Sequence, residues 1–221
     1  MTCLLIYKHF RKKLKCTTAL NKYYITIHKM SELNAVEENM LPIINKGAGA
    51  GGANTNKNGL AYEELTDLKD KYKSCKKDNA CEVEFVGFDR KFIKANKSAL
   101  HKYMKKIGQL NKELLPAAGC KEPDEAYIDT ENKIVFIIEK KFQQTSGSVD
   151  EKIQTGPFKK EHYQELFPEF TIYYIYCLSD WFKKEEYKST LNYLKKNGIP
   201  IFWGSSETFK EDMIKFIHNS L

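Results

Sequence analysis

The sequence lacks the short motifs that mark several common classes of protein. None of its six cysteines stands in a Cys-x-x-Cys pair, and the cysteine and histidine spacings do not suit a zinc site. No His-Glu-x-x-His motif occurs, and the glycine-rich segment 47–58 contains no Gly-Lys-Ser/Thr phosphate-binding sequence. The sequence therefore gives no support for a zinc finger, a zinc protease or a P-loop nucleotide hydrolase.

Long apolar runs and a clear secretory signal are also missing. No run approaches the ~20 apolar residues that cross a bilayer. The apolar stretch Leu4–Tyr7 is short, and charged residues follow it at once. We therefore expect a cytoplasmic protein that is neither secreted nor membrane-bound, with its cysteines reduced.

Acidic residues are absent from the first thirty positions, which carry seven lysines and arginines. The chain has 36 basic and 29 acidic residues, so these seven account for its whole net charge of +7. The remainder is formally neutral. A DNA-binding face would therefore have to arise from segregated charge, and lysine clusters occur at Lys69–Lys77 and Lys91–Lys106.

Composition predicts two regions. Residues 1–45 are predicted to be a basic, disordered extension, and residues 46–221 a folded domain. Two hypotheses explain the extension: translation begins at Met30, or the segment is an arm that follows phosphates. Segment 47–58 is interpreted as either a flexible linker or a loop that closely approaches a ligand.

Hydrophobic periodicity and turn residues predict an α/β fold with a mixed central sheet flanked by helices. The predicted strands are 82–88, 123–129, 134–138 with its continuation into 139–142, 171–178 and 199–203. The predicted helices are 59–77, 96–107, 148–167 (interrupted at Gly156-Pro157), 179–196 and 207–219.

The predicted hairpin at residues 123–141 has consequences for chemistry. A turn centred between Glu131 and Asn132 places Asp124 opposite Glu139, with Cβ atoms roughly 5 Å apart. Alternation puts Lys141 and Gln143 on the same side as Glu139. Two converging carboxylates would repel each other unless protons or a cation compensate, and oxygen ligands suit Mg²⁺.

The pattern Pro123-Asp124…Glu139-x-Lys141 resembles that of the PD-(D/E)XK nuclease superfamily. The order of elements over about residues 59–178 is similar to that family's core, with 82–107 as an insertion. Segment 139–154 looks most like small type II restriction endonucleases.

This resemblance implies a restriction-endonuclease-like core and Mg²⁺-dependent phosphodiester hydrolysis that leaves a 5′-phosphate. The implied catalytic residues are Asp124, Glu139, Lys141, Glu63 and Gln143. The implied metal ligands are Asp124, Glu139 and Glu63, with Glu64 as the alternative to Glu63.

The resemblance also implies partners. A type II enzyme would cut double-stranded DNA at a short specific site as a homodimer, alongside a DNA methyltransferase that protects the same site. Two alternatives stay open: a repair or recombination nuclease of the same superfamily, and a non-catalytic DNA-binding protein in which the motif is accidental.

Overall fold

The apolar run Ile134–Ile138 forms a strand that is buried on both faces, as its composition predicts. It lies in a computed structural model that describes residues 53–72, 80–118, 120 and 122–220. The predicted extension at residues 1–45 and the first part of the glycine-rich segment lie outside the described residues.

Six strands and six α-helices make up the described chain. The strands are β1 (Cys81–Glu84), β2 (Lys91–Lys94), β3 (Glu125–Asp129), β4 (Ile134–Lys141), β5 (Thr171–Leu178) and β6 (Ile201–Trp203). The helices are α1 (Ala53–Leu65), α2 (Ser98–Lys106), α3 (Val149–Lys152), α4 (Gly156–Leu166), α5 (Lys188–Lys196) and α6 (Phe209–Asn219). Short 3₁₀ turns occupy Lys69–Lys71, Ile153–Thr155, Asp180–Lys183 and Glu185–Tyr187.

The six strands form one mixed sheet in sequential order. The first four strands pair antiparallel, whereas β4 with β5 and β5 with β6 pair parallel. Parallel neighbours need a crossover, and α4 and α5 supply the two crossovers. The predicted α/β class with a mixed, helix-flanked sheet is confirmed.

Helices cover both faces of the sheet. On the first face, α2, α4 and α5 pack their apolar side chains against Ile137 and Tyr174. On the second face, α1 and α6 pack against Phe136 and Ile175. Because side chains alternate along β4, Glu139 and Lys141 belong to the first face and Lys140 to the second.

Several predicted boundaries are wrong. The helix predicted from residue 59 begins at Ala53, so positions 53–58 are helical and not a linker. The predicted helix 179–196 is α-helical only from Lys188. Both Phe182 and Tyr187 are buried, and a five-residue spacing would put them on different sides of an α-helix, so 3₁₀ turns replace its first half.

Strand β2 was not predicted, and it changes the role of the segment around it. Its four residues, Lys91–Lys94, contain one fully buried side chain, that of Phe92, and so carry little apolar signal. The strand pairs with both β1 and β3, so residues 81–94 extend the central sheet. The neighbouring helix, predicted near 96–107, is confirmed as α2.

The expectation of reduced cysteines is wrong at Cys81, which is disulfide-bonded. Cys120 and Cys177 are free and buried. Within the described ranges, no helix has both the length and the apolar composition needed to cross a bilayer.

A buried ion pair ties the second face to the end of β4. Lys140 Nζ lies 2.8 Å from Glu125 Oε2, and the two side chains are 2% and 0% exposed. Tyr127 Oη and the backbone N–H of Leu68 both donate to Glu125 Oε1. Burial makes each of these charges dependent on its partner, because an unpaired charge would lose its hydration without compensation.

We predict that Lys140→Met destabilises the protein by roughly 3–5 kcal/mol, because it leaves Glu125 buried with one close cation fewer. Urea unfolding followed by circular dichroism measures the loss. Lys91→Met is the control, since its pair with Glu82 is 60% exposed on both sides and solvent screening leaves it little effect on stability. Equal losses in the two variants would contradict the prediction.

Candidate active site

The candidate site lies at the carboxyl end of β4, where the sheet changes from antiparallel to parallel pairing. Asp124 directly precedes β3, and Glu139 and Lys141 fall within the last three residues of β4. Glu125 pairs with Ile138, so one step further along the ladder Asp124 stands opposite Glu139. The hairpin register predicted from the turn is confirmed. Ligand sites in α/β sheets favour such carboxyl ends.

Glu139 is a buried carboxylate held by two lysines. It is 8% exposed, and its Oε1 lies 2.7 Å from Lys141 Nζ and 3.0 Å from Lys159 Nζ. Burial alone would raise the pKa of Glu139, but the two ammonium groups outweigh it and hold the pKa below its ordinary value. Glu139 is therefore a carboxylate over the whole neutral range.

Asp124 faces Glu139 without a lysine of its own. It forms no ion pair with any described residue, and its Oδ2 accepts the backbone N–H of Lys140 at 2.7 Å. Burial, and next the charge of Glu139, raise the pKa of Asp124 to about 6, although Lys141 works in the opposite direction. Of the two acids, Asp124 is therefore the one whose ionised form is destabilised.

Lys141 is a cation in this arrangement. Burial lowers the pKa of its ammonium group, but Glu139 and Asp124 more than compensate and the pKa is raised overall. At neutral pH the amine stays protonated. It can therefore donate hydrogen bonds or neutralise negative charge, but it holds no free lone pair.

Glu63 lies close enough to Asp124 to affect its pKa, but it does not form a single cluster of metal ligands with Asp124 and Glu139. Glu63 lies on α1, its charge contributes to the raised pKa of Asp124, and its backbone oxygen accepts Lys140 Nζ at 3.0 Å. Among the described residues, however, no three His, Cys, Asp or Glu side chains are grouped closely enough to hold a metal. The role of Glu63 as a third metal ligand stays a prediction.

Gln143 lies beyond the end of β4 and is engaged in local structure. Its side-chain amide donates to the backbone oxygen of Thr145, and its backbone N–H and oxygen both bond Ser179 Oγ. These contacts fix the turn that follows the strand. The catalytic role of Gln143 stays a prediction, and its side-chain nitrogen is already bonded to Thr145.

Sequence reasoning missed Lys159, which lies in the first turn of α4 and contacts Glu139. The helix itself was predicted, but nothing in its sequence distinguishes Lys159 from the neighbouring Lys160. Only the packing of α4 on the first face of the sheet brings the ammonium group to the carboxylate.

An open cleft of about 240 Å³ gives access to Asp124 from the side of α1 and α2. Acidic and basic groups share its walls. The lining residues are Leu60, Glu63, Glu64, Asp67, Lys69, Asn96, Lys97, Asp124 and Lys140.

The donor set fits a magnesium ion that keeps part of its water. Mg²⁺ in such sites takes one or two carboxylates and completes its octahedron with water and substrate phosphate. Both lysines bind the same oxygen of Glu139, and the backbone of Lys140 binds one oxygen of Asp124. No group in the described chain hydrogen-bonds to Glu139 Oε2 or Asp124 Oδ1. Each acid thus offers one oxygen to a cation.

Comparison with known proteins finds no matching protein-family model, no similar curated sequence and no similar solved structure. Any functional assignment therefore depends on the residues and geometry of this chain.

We predict that Asp124→Asn stabilises the metal-free protein at pH 7 by on the order of 2 kcal/mol. The folded pKa of Asp124, about 6, exceeds its ordinary 3.8, so the folded state binds the proton more tightly than the unfolded chain. This contribution to wild-type stability is full below pH 4 and is lost as the pH rises to about 6. Asparagine can still accept the Lys140 N–H. Urea unfolding at pH values from 4 to 7.5 should show the advantage of the variant growing with pH. A constant difference, or a less stable variant at pH 7, would contradict the prediction.

Proposed function

We propose that this chain is a Mg²⁺-dependent DNA endonuclease of the type II restriction class. The observation that carries the proposal is the pair Asp124 and Glu139, opposed across a hairpin, each with one oxygen unclaimed, beside the protonated Lys141. The reaction would be hydrolysis: water attacks phosphorus, the bond to the 3′ oxygen breaks, and a 5′-phosphate and a 3′-hydroxyl remain.

The carboxylates would serve as the protein's share of a metal site. A bound Mg²⁺ stabilises negative charge on the phosphoryl group and acidifies a bound water. Asp124 and Glu139 would hold the ion in place, and its charge would relieve the repulsion that raises the pKa of Asp124. Binding of the ion would thus favour ionisation of Asp124, the carboxylate that the site destabilises most.

Lys141 would act as a cation rather than as a base. Its raised pKa keeps it protonated at neutral pH. A protonated amine next to the two acids can orient the attacking water by hydrogen bonding and offset charge that develops on phosphate. Lys159, which shares the same oxygen of Glu139, would keep that carboxylate fixed.

The class of enzyme implies further properties, which we include in the proposal. Cleavage of both strands at one site calls for two active sites, hence a homodimer on double-stranded DNA. A restriction enzyme would be cytoplasmic and accompanied by a methyltransferase of the same specificity.

We predict that Lys141→Ala lowers the cleavage rate of duplex DNA with Mg²⁺ by about 10²–10³-fold, since it removes one stabilising donor at the phosphate. Supercoiled plasmid and a random-sequence duplex are the substrates, and sequencing of the ends maps the cuts. Binding measured with a chelator should change less than about twofold. Lys215→Ala on α6, an exposed lysine on the second face, is the control and should cleave at the wild-type rate.

The outcomes of this assay separate the candidate functions. A recurring short cut site supports a restriction enzyme, whereas scattered or structure-dependent cuts would indicate a repair or recombination nuclease with the same site. Wild-type cleavage by Lys141→Ala would remove the site assignment. Affinity for DNA without cleavage at any Mg²⁺ concentration would leave a non-catalytic DNA-binding protein.

A further inference from the structure

The segment Arg90–Lys112 contains eight basic residues and no acidic residue. It covers β2, α2 and the loop that follows α2. The protein outside the first thirty residues is formally neutral, so this segment is a marked local excess of positive charge.

The structure divides the eight cations into two groups. Arg90, Lys91 and Lys94 are paired with acids from other elements. The other five are exposed and form no ion pair with any described residue. We call these five the α2 lysine face: Lys97, Lys102, Lys105, Lys106 and Lys112.

Helix α2 holds this face in a fixed position. Its opposite side buries Ala99, Leu100 and Met104 in the core of the first face. The exposed lysines of α2 therefore project outward from an anchored helix and do not belong to a loose loop. Nine residues of α-helix span roughly 13 Å, about the axial rise of four phosphates along one DNA strand.

The lysine face is continuous with the candidate active site at Lys97. This residue lines the same cleft as Asp124, and its backbone N–H donates to the oxygen of Pro123 at 2.9 Å. Its backbone has φ 49° and ψ −132°, a left-handed conformation that favours glycine and is costly for lysine. A long cation thus occupies the rim of the cleft, at a position where the backbone conformation favours glycine.

We propose that the α2 lysine face binds the phosphate backbone of the nucleic acid whose scissile bond lies at Asp124 and Glu139. The choice of nucleic acid as the polyanion rests on the proposed function. The location of the contact rests on the unpaired, acid-free charge and its continuity with the cleft. Contacts of this kind position a duplex and do not read its sequence.

The two lysines in the last turn of α2 test the proposal, because the chain offers a matched pair elsewhere. Lys105 and Lys106 end α2, and Lys195 and Lys196 end α5. Both helices have nine residues, and all four lysines are exposed without an ion pair in the described structure. Changing either pair to glutamine removes the same charge from the same helical position.

We predict that Lys105→Gln/Lys106→Gln weakens binding of a fluorescein-labelled 24-base-pair duplex by at least about fivefold at 100 mM salt. It should also lower the slope of log Kd against log salt concentration by about two. Fluorescence anisotropy with a chelator present gives both quantities. Lys195→Gln/Lys196→Gln should change Kd less than twofold.

The inference would be overturned if the two double variants weakened duplex binding equally, or if neither weakened it. It would also be overturned if Lys105→Gln/Lys106→Gln bound the duplex like the wild type but no longer sedimented with phosphatidylserine vesicles. Failure of this inference and failure of the proposed function give different results. Duplex binding that depends on α2 without cleavage would defeat the nuclease and keep this surface. Cleavage by a protein whose duplex binding does not depend on the lysines of α2 would support the nuclease and exclude this surface.

We predict that Lys97→Gly raises Tm by about 3 °C and yet weakens duplex binding several-fold. Glycine relaxes the left-handed backbone but removes the cation. Thermal unfolding and the same anisotropy assay measure the two effects, and Lys97→Ala, which keeps the backbone constraint, should show only the weaker binding. Duplex binding at wild-type strength in both variants would contradict a role for Lys97.

Discussion

The end of β4 must accommodate three consecutive charged side chains, Glu139 to Lys141, at the end of a strand with both faces buried. Burial of an unpaired charge is costly, so each face has to supply opposite charge. On the second face Glu125 forms an ion pair with Lys140. On the first face Lys141 and Lys159 both form ion pairs with Glu139. The apolar strand therefore creates a charged centre by forcing these residues out of water together.

The compensation on the first face is incomplete, and that determines what the site can do. Glu139 has two ion-pair partners, whereas Asp124 has none among the described residues, and a backbone N–H and the charge of Lys141 only partly offset its burial and the field of Glu139. The stability lost by ionising Asp124 would be recovered if a cation bound, so a site that is unfavourable alone would be receptive to a ligand.

The parts of the structure that could be predicted from the sequence are those determined locally. The turn near Glu131 sets the hairpin register, and this register alone places Asp124 opposite Glu139. The position of Lys159 depends on how α4 packs on the sheet, which no local pattern encodes. The helix predicted from residue 179 failed because burial of Phe182 and Tyr187 overrides helical propensity. The motif predicts Asp124, Glu139 and Lys141, whereas tertiary packing adds Lys159.

Charge segregation would allow a formally neutral folded region to bind the polyanionic substrate that we propose. A catalytic centre for phosphate hydrolysis needs acids for the metal, and those acids repel the substrate's own phosphates at short range. Lysines interleaved among the acids would be neutralised by them, as Lys141 and Lys159 are by Glu139. Cations placed on a separate, acid-free element keep their full attraction while lying within one helix length of the cleft. In the proposed enzyme, of the five lysines of the α2 lysine face Lys97 alone would line the cleft with Asp124, so that the face would hold the phosphate backbone while the Asp124–Glu139 pair would hold the metal.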